Sequence, residues 1–504
     1  MKFNTKLTAV AAGIGMAVAG SAHASNLGEV WVGDQQNGLI YIADQSALNN
    51  PFVTATVDVV DLNAAAGNNC TGATLHTSAR CADRMHIIGF SNHAGLDPAS
   101  RAVFGYLDGV AEIWATNGGT HTPTKIAELQ ALGGAEGGAN SLHMCGPSPD
   151  NSLIACSSIG GRKAIIFDAN MGDDIYTRLG DWDLNPADMP ISSRLKGQAK
   201  SAVEDQMAII NAASANPSAI CNNFDTTSKT LYYTVQTSAT SGGVVVLDVN
   251  DPANPTILDA WATPFADGCG LVNSPDGNYM WMNHGHNNPG DNELATKWNN
   301  STYAGTGKIT KASDVGPVAV VDIPEKTETV NGRSGDVHGA QFAGLGGGFL
   351  WEAMRIDDEI HIIDHNSSTP SVVNTIDLEV QMGLEAPQPD VLDRSALGTK
   401  MYFSTRGFIP TTAIVGFVDL ERDPGIVTMS TLFGYNGNYM KTTSIRTGET
   451  VFLCPPEGDE TDPDHDHDVP ESCDDTHVHW DEREEVDTVD PHGLKSLQYL
   501  TGGF

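Results

Sequence analysis

The sequence predicts an all-β fold, a β-propeller of four-stranded blades, and three observations carry that prediction. First, a β-branched or aromatic run ending in Asp recurs along the chain. It reads LIYIAD (to Asp44), AIIFD (Asp168), VVVLDV (Asp248), VAVVDI (Asp322), IHIIDH (Asp364), VGFVDL (Asp419) and THVHWDE (Asp481), with VAEIWAT near Trp114 in the same place. Second, another strand precedes these runs behind a tight turn, as in SPDNSLIACSS (148–158), SPDGNYMWMNH (274–284), GLGGGFLWEAMR (344–355) and ALGTKMYFSTRG (396–407). Third, the unit returns about every 40 to 65 residues, the period of blades that bury their faces only by packing around an axis.

Taken in order, the chain opens on a targeting segment. MKFNTKLTAVAAGIGMAVAGSAHA carries Lys2 and Lys6, an apolar run from Leu7, and Ala22-His23-Ala24 as a small-x-small cleavage pattern. Residues 1–24 therefore read as a secretory signal, and the protein as periplasmic or secreted. No later stretch holds about 18 uncharged apolar residues, so no membrane insertion is expected. Residues 25–504 read as one propeller domain. The net charge of −36 excludes nucleic acid and anionic lipid as partners, because both need a basic surface.

Each unit reads as strand A, a Pro/Gly/Asp turn, strand B, a loop, strand C ending in Asp, a turn and strand D. The Asp of each C strand is expected to cap the following turn. Units start near 91, 141, 218, 267, 336 and 388, with a divergent one near 439. The first unit has B (GEVWVGD), C (GLIYIAD) and D (TATVDVVDL) but lacks A, and the closing HGLKSLQYL has the length and apolar character to supply it. A ring closed by strands from both termini leaves no open edge. The count is eight blades, or seven if residues 439–490 are an insertion. In the eighth, VFLC, HVHWD and EEVDTV would be B, C and D. A helical insertion is expected near 183–215, a long Asn/Gly-rich B–C loop at 284–314, and an acidic His-rich loop at 455–480.

The cysteines number eight, an even count that reads as disulfides in an exported chain. Sequential pairing gives Cys70–Cys81, Cys145–Cys156, Cys221–Cys269 and Cys454–Cys473. No CxxCH or CxxC occurs, so covalent haem and thioredoxin-like chemistry have no support.

Aligning the units on the A–B turn brings one position into register near the start of strand A. It holds His93, His143, Cys221, Cys269, His338, Asp390 and His492. In a propeller that position lies at the mouth of the central channel. His284 and His286, in the B–C loop of the fifth unit, would rim the same face. Imidazoles held by a rigid frame suit a transition metal, copper first and zinc or iron next. The competing reading is structural: these histidines bond across the channel or open a turn at His-Gly, and Cys221 and Cys269 form a disulfide. Arg162, Arg355 and Arg406 follow strand B at similar points and either orient an anionic small-molecule substrate or pair with nearby acids. In the acidic loop His465, His467, His477 and His479 stand among many carboxylates. That loop is either a solvated charge run or a metal collector, with calcium suited to its carboxylates. No G-x-S-x-G elbow is present, so Ser-His-Asp hydrolysis has no support.

The SPDG turns, the Asp-ending strands and the His-opened inner strands resemble the YVTN-type propeller superfamily. The histidines are similar to those of its metal-bearing relatives, the nitrous-oxide-reductase propeller and the selenium-binding/methanethiol oxidase family. No cupredoxin domain follows the propeller and two ring positions are Cys, which departs from nitrous oxide reductase. The resemblance implies a metalloprotein, and a copper-dependent oxidoreductase within it. The alternative is a non-catalytic propeller presenting its channel face to a small-molecule or protein ligand.

Overall fold

The computed structural model describes residues 27–499 apart from 35–37, 51–54, 67–86, 107–108, 131–141, 239–240, 264–267, 286–292, 327–334, 345–346, 379–387, 397, 406–424, 431–439, 445–449 and 454–490. These residues form seven antiparallel sheets. Blade 1 contains Gly28–Asp34, Leu39–Asp44 and Val57–Asp61, and its innermost strand is Pro491–Gln498 from the far end of the chain. Gly28 pairs with Gln498, and the ladder runs to Asp34 opposite Pro491. The terminal strand therefore supplies the missing strand A, as its apolar spacing predicts: Leu494 and Leu497 are buried in two different interblade cores.

The inner strands of the next six blades are Gly89–Phe90, Leu142–Pro147, Ser218–Phe224, Leu271–Asn273, Val337–Ala343 and Pro389–Arg394. All seven innermost strands neighbour one another in cyclic order, which makes the ring. The seven sheets remain separate hydrogen-bonded units. Apolar packing between faces holds the ring together, with Trp31, Trp114, Trp281, Trp298 and Trp351 wholly buried.

Among the described residues the eighth blade is not formed. Met440–Ser444 and Thr450–Leu453 add to the outer edge of blade 7, giving it five strands. An antiparallel hairpin finds the nearest unpaired edge, here Gly425–Ser430, and that edge wins over a new sheet. HVHWD and EEVDTV lie outside the described residues. A second correction concerns blade 5. Its third strand is Glu293–Asn299, within the stretch expected to be a long loop, and the VAVVDI run supplies the fourth, Ala319–Ile323. Asp322 therefore ends an outer strand.

The turns follow the local chemistry. In SPDN the Ser148 hydroxyl accepts from the Leu153 amide at 2.9 Å, and Asn151 takes φ 61°. In SPDG the Ser274 hydroxyl accepts from the Tyr279 amide at 3.0 Å, and Gly277 takes φ 72°. After strand C, Asp248 and Asp364 each accept from the amide two residues on, at 3.1 Å, closing the expected Asx turn. The helix Gly197–Ala213 falls in the 183–215 insertion and packs against the outer strand of blade 4, Thr256–Thr263. Its buried side, Ala199, Val203, Met207 and Ile210, recurs at helical spacing. Among the described residues no helix is long and apolar enough to cross a membrane.

Candidate binding site at the channel mouth

The inner strands share an irregularity. In blade 3 the register with the second strand steps from Leu142 to Met144, leaving His143 as the extra residue. In blade 4 it steps from Ala219 to Asn222, over Cys221. Blade 6 steps from Val337 to Ala340 over His338, and blade 7 from Pro389 to Leu392 over Asp390. In blade 1 the break falls between Pro491 and Leu494, over His492 and Gly493. A bulge inserts one residue into one strand and re-aims its side chain. Five blades place that bulge at the register position where the sequence puts His, Cys or Asp. Cys269 lies just ahead of the inner strand of blade 5.

In blades 3, 4 and 5 the opposing strand presents a small polar group to the inner strand. Ser157 accepts from the Met144 amide at 3.1 Å and donates to the Ile220 carbonyl of blade 4 at 2.6 Å. Thr234 accepts from the Cys221 amide at 3.1 Å and donates to the Gly268 carbonyl of blade 5 at 2.8 Å. Asn283 accepts from the Gly270 amide at 2.9 Å and donates to the His338 carbonyl of blade 6 at 3.0 Å. Each group bonds its own inner strand and reaches the next blade, tying adjacent inner strands together.

Two clusters result. In the first, His143 Nδ1 lies 3.2 Å from Cys221 Sγ and 3.7 Å from Cys269 Sγ, bringing residues of three consecutive blades together. Their ligand atoms all fall within 4.8 Å of one another. The two sulfurs are joined, and the Cys221–Cys269 bond spans blades 4 and 5 with its Cα atoms 5.2 Å apart. In this oxidised form neither is a thiolate, so of the three only the imidazole can act as a metal ligand.

The second cluster joins blades 6 and 7. His338 Nε2 stands 3.6 Å from Asp390 Oδ1, and Arg355 Nη1 stands 3.3 Å from the same oxygen. Arg355 also grips Asp336 through Nε at 2.9 Å and Nη2 at 2.7 Å. Behind them Glu352 is wholly buried and takes a hydrogen bond from Asn283 Nδ2 at 2.9 Å. Burial raises its carboxyl well above the usual range, with only the Asn283 bond opposing.

The His-Gly pairs here are not turns. Gly339 lies within its strand, where a Cβ would meet the Asp390 carbonyl oxygen at 2.3 Å. A Cβ on Gly268 or Gly270, flanking Cys269, would meet Asn283 at 2.0 or 2.1 Å. These glycines let adjacent inner strands approach.

Several expected residues lie elsewhere. His93 follows the inner strand of blade 2, at the A–B turn end, with Nδ1 3.2 Å from Ser91 Oγ. His284 is wholly buried, bonded to Thr296 Oγ1 at 2.8 Å and edge-on to Trp261, and burial pushes its pKa down to about 3. It is a neutral packing residue. Arg355 is paired to acids, Arg162 is exposed at φ 57°, and the side chain of His492 with all of His286 and Arg406 lies outside the description. Cys145–Cys156 forms as expected between directly paired residues of blade 3. Cys70, Cys81, Cys454 and Cys473 lie outside the described residues, as does the acidic loop.

The misplacement of His93 has a readable cause. Ser91, Ser148, Ser274 and Ser395 each accept from an amide at the start of the next strand, so they mark equivalent turns. Five residues before them stand His86, His143, Cys269 and Asp390. The turn serine, rather than the nearest histidine, sets the register, and His86 is the blade 2 counterpart in sequence.

No protein-family model and no curated protein matches the chain, so only the propeller architecture carries over from the YVTN-type resemblance. Among solved structures it is similar to a protein from Lactobacillus plantarum, at 13% identity and TM-score 0.49 over 85% of this chain and 95% of that one. It is similar to the periplasmic gluconolactonase of Pseudomonas aeruginosa, at 12% identity and TM-score 0.47 over 85% and 95%. A putative 6-phosphogluconolactonase from Bacteroides fragilis gives 12% identity and TM-score 0.46 over 86% and 95%.

Proposed function

We propose that this is an exported metal-binding propeller whose inner-strand residues at the channel mouth, His143 in the first cluster, His338 with Asp390 in the second, and His492, are ligands for transition-metal ions. The repeated bulge carries the reading, because re-aiming a side chain at one register position in five blades serves a site and adds nothing to a ladder. Imidazoles with a carboxylate suit copper first, then zinc or iron. Bound copper would supply a redox centre for oxidising a small molecule, with Arg162, exposed between the second and third strands of blade 3, as a cation for an anionic substrate. Export rests on the 1–24 signal and on disulfides, which persist in oxidising compartments. Calcium would take the separate acidic loop at 455–480.

The test is metal analysis of protein purified from the periplasmic fraction, beside His143→Ala and His338→Ala. Wild type is expected to carry copper or zinc in stoichiometric amount, and each variant to lose most of it. A metal-free wild type, or variants with full occupancy, overturns the reading. That outcome would favour the second reading, a non-catalytic scaffold binding a small molecule or protein at this face. One observation already supports that alternative: Asp390 is paired with Arg355 and lies 3.6 Å from His338.

A further inference from the structure

We infer that Cys221 and Cys269 are a redox-gated ligand pair. Oxidised, they strap blade 4 to blade 5; reduced, they join His143 in a Cys2His site for a zinc-type divalent ion. The inference extends the reading that the mouth binds metal, and its test separates the two.

The geometry is close to that of the loaded site. Tetrahedral zinc with Zn–S of about 2.3 Å and Zn–N of about 2.0 Å sets neighbouring ligand atoms roughly 3.5–3.8 Å apart. His143 Nδ1 already stands 3.2 and 3.7 Å from the two sulfurs. Only the sulfur–sulfur separation must grow, and side-chain rotation about the Cys Cβ atoms supplies that movement. Cys269 is part-exposed, so a reductant has a sulfur to attack, whereas Cys145 and Cys156 are wholly buried.

Losing the strap leaves the frame intact. Asn223 Nδ2 donates to the Leu271 carbonyl and Asn273 Nδ2 to the Phe224 carbonyl, both at 2.8 Å, and Thr234 donates to the Gly268 carbonyl at 2.8 Å. These hydrogen bonds, with Tyr232 Oη donating to Asn300 Oδ1 at 2.9 Å, still join blades 4 and 5. The reductant is a dithiol. Its thiolate attacks Cys269 Sγ, its second thiol resolves the mixed disulfide, and it leaves as a disulfide having passed two electrons and two protons to the pair. Metal binding then releases the two thiol protons to solvent.

Co2+ is the probe. Oxidised and dithiothreitol-reduced full-length protein are titrated anaerobically after the reductant is removed. Reduced wild type is expected to bind Co2+ with a near-ultraviolet thiolate-to-cobalt band and tetrahedral visible bands that the oxidised protein lacks. The Cys221→Ser/Cys269→Ser double variant should lack them, although it retains every other cysteine. His143→Ala should keep the sulfur band but bind at least about tenfold more weakly. Reoxidation of loaded wild type should expel the ion, a readout that needs no variant. Absence of the band in reduced wild type, its survival in the double variant, or cobalt retained after reoxidation overturns the inference. Metal content of the oxidised protein tests the broader reading independently.

Discussion

Arg355 shows how one side chain is fixed by charge. It lies between Asp336 and Asp390, both almost fully buried, and its planar fork meets each through separate nitrogens. Arg355→Ala leaves two buried carboxylates facing each other and is expected to cost about 3–5 kcal/mol in urea unfolding. Arg355→Lys keeps the charge but loses the fork, and should recover only part of that loss. His121 carries a pH dependence. It sits in a hairpin of blade 2, with Nδ1 2.5 Å from Asp58 and Nε2 3.3 Å from Asp44 and 3.8 Å from Glu29 of blade 1. Burial alone would lower its pKa, but the Asp58 hydrogen bond and the Glu29 and Asp44 charges outweigh burial and raise it. A raised folded value means that the stabilisation is full below the ordinary histidine pKa and fades as pH rises through the folded one. The stability gap between wild type and His121→Gln should therefore be larger at pH 6 than at pH 9, and an equal gap would contradict this pairing.

At the scale of the element, the bulged inner strand is the functional unit. Gly339→Ala would drive a Cβ against the Asp390 carbonyl oxygen and is expected to destabilise by about 1–3 kcal/mol, read as a lowered thermal midpoint. The same variant should weaken metal uptake, since it pushes His338 and Asp390 apart. Part of this unit is legible in the sequence. His143, His338 and Asp390 fall at the bulge because their distance to the A–B turn is fixed, whereas His492 takes its place through the pairing of Pro491–Gln498 with Gly28–Asp34. The hydroxyl and amide groups of Ser157, Thr234 and Asn283 that tie each inner strand to the next blade are invisible by pattern, because small polar residues near strand ends are common and their partners lie in another blade. His284 looks like a rim ligand in sequence, yet the strand's alternation turns it into the core beside Trp261.

For the whole molecule, the terminal strand decides integrity. Tyr499 donates to Glu29 at 2.6 Å, Trp31 Nε1 donates to the same carboxylate at 2.7 Å, and the Gly119 amide of blade 2 adds a third bond at 2.5 Å. The two chain ends and the next blade thus meet on one buried carboxylate. Deleting residues 491–504 removes an inner strand and exposes the edge of Gly28–Asp34, so cooperative unfolding by near-ultraviolet dichroism should disappear. A truncated protein with an unchanged transition would refute that role.

What the sequence determined by itself is local and periodic: strands, Asx turns, the blade repeat, two disulfides within adjacent strands or blades, and the terminal strand that completes blade 1. Alternation and turn chemistry act over a few residues, so they survive without knowledge of neighbours. Only the tertiary structure decided the seven-sheet count, since whether Met440–Leu453 starts a blade or extends one depends on which edge is free. It also decided which ligand-type side chains meet. His143 with the Cys221–Cys269 pair, and His338 with Asp390, are contacts between blades, and ring closure alone sets the distance across those gaps.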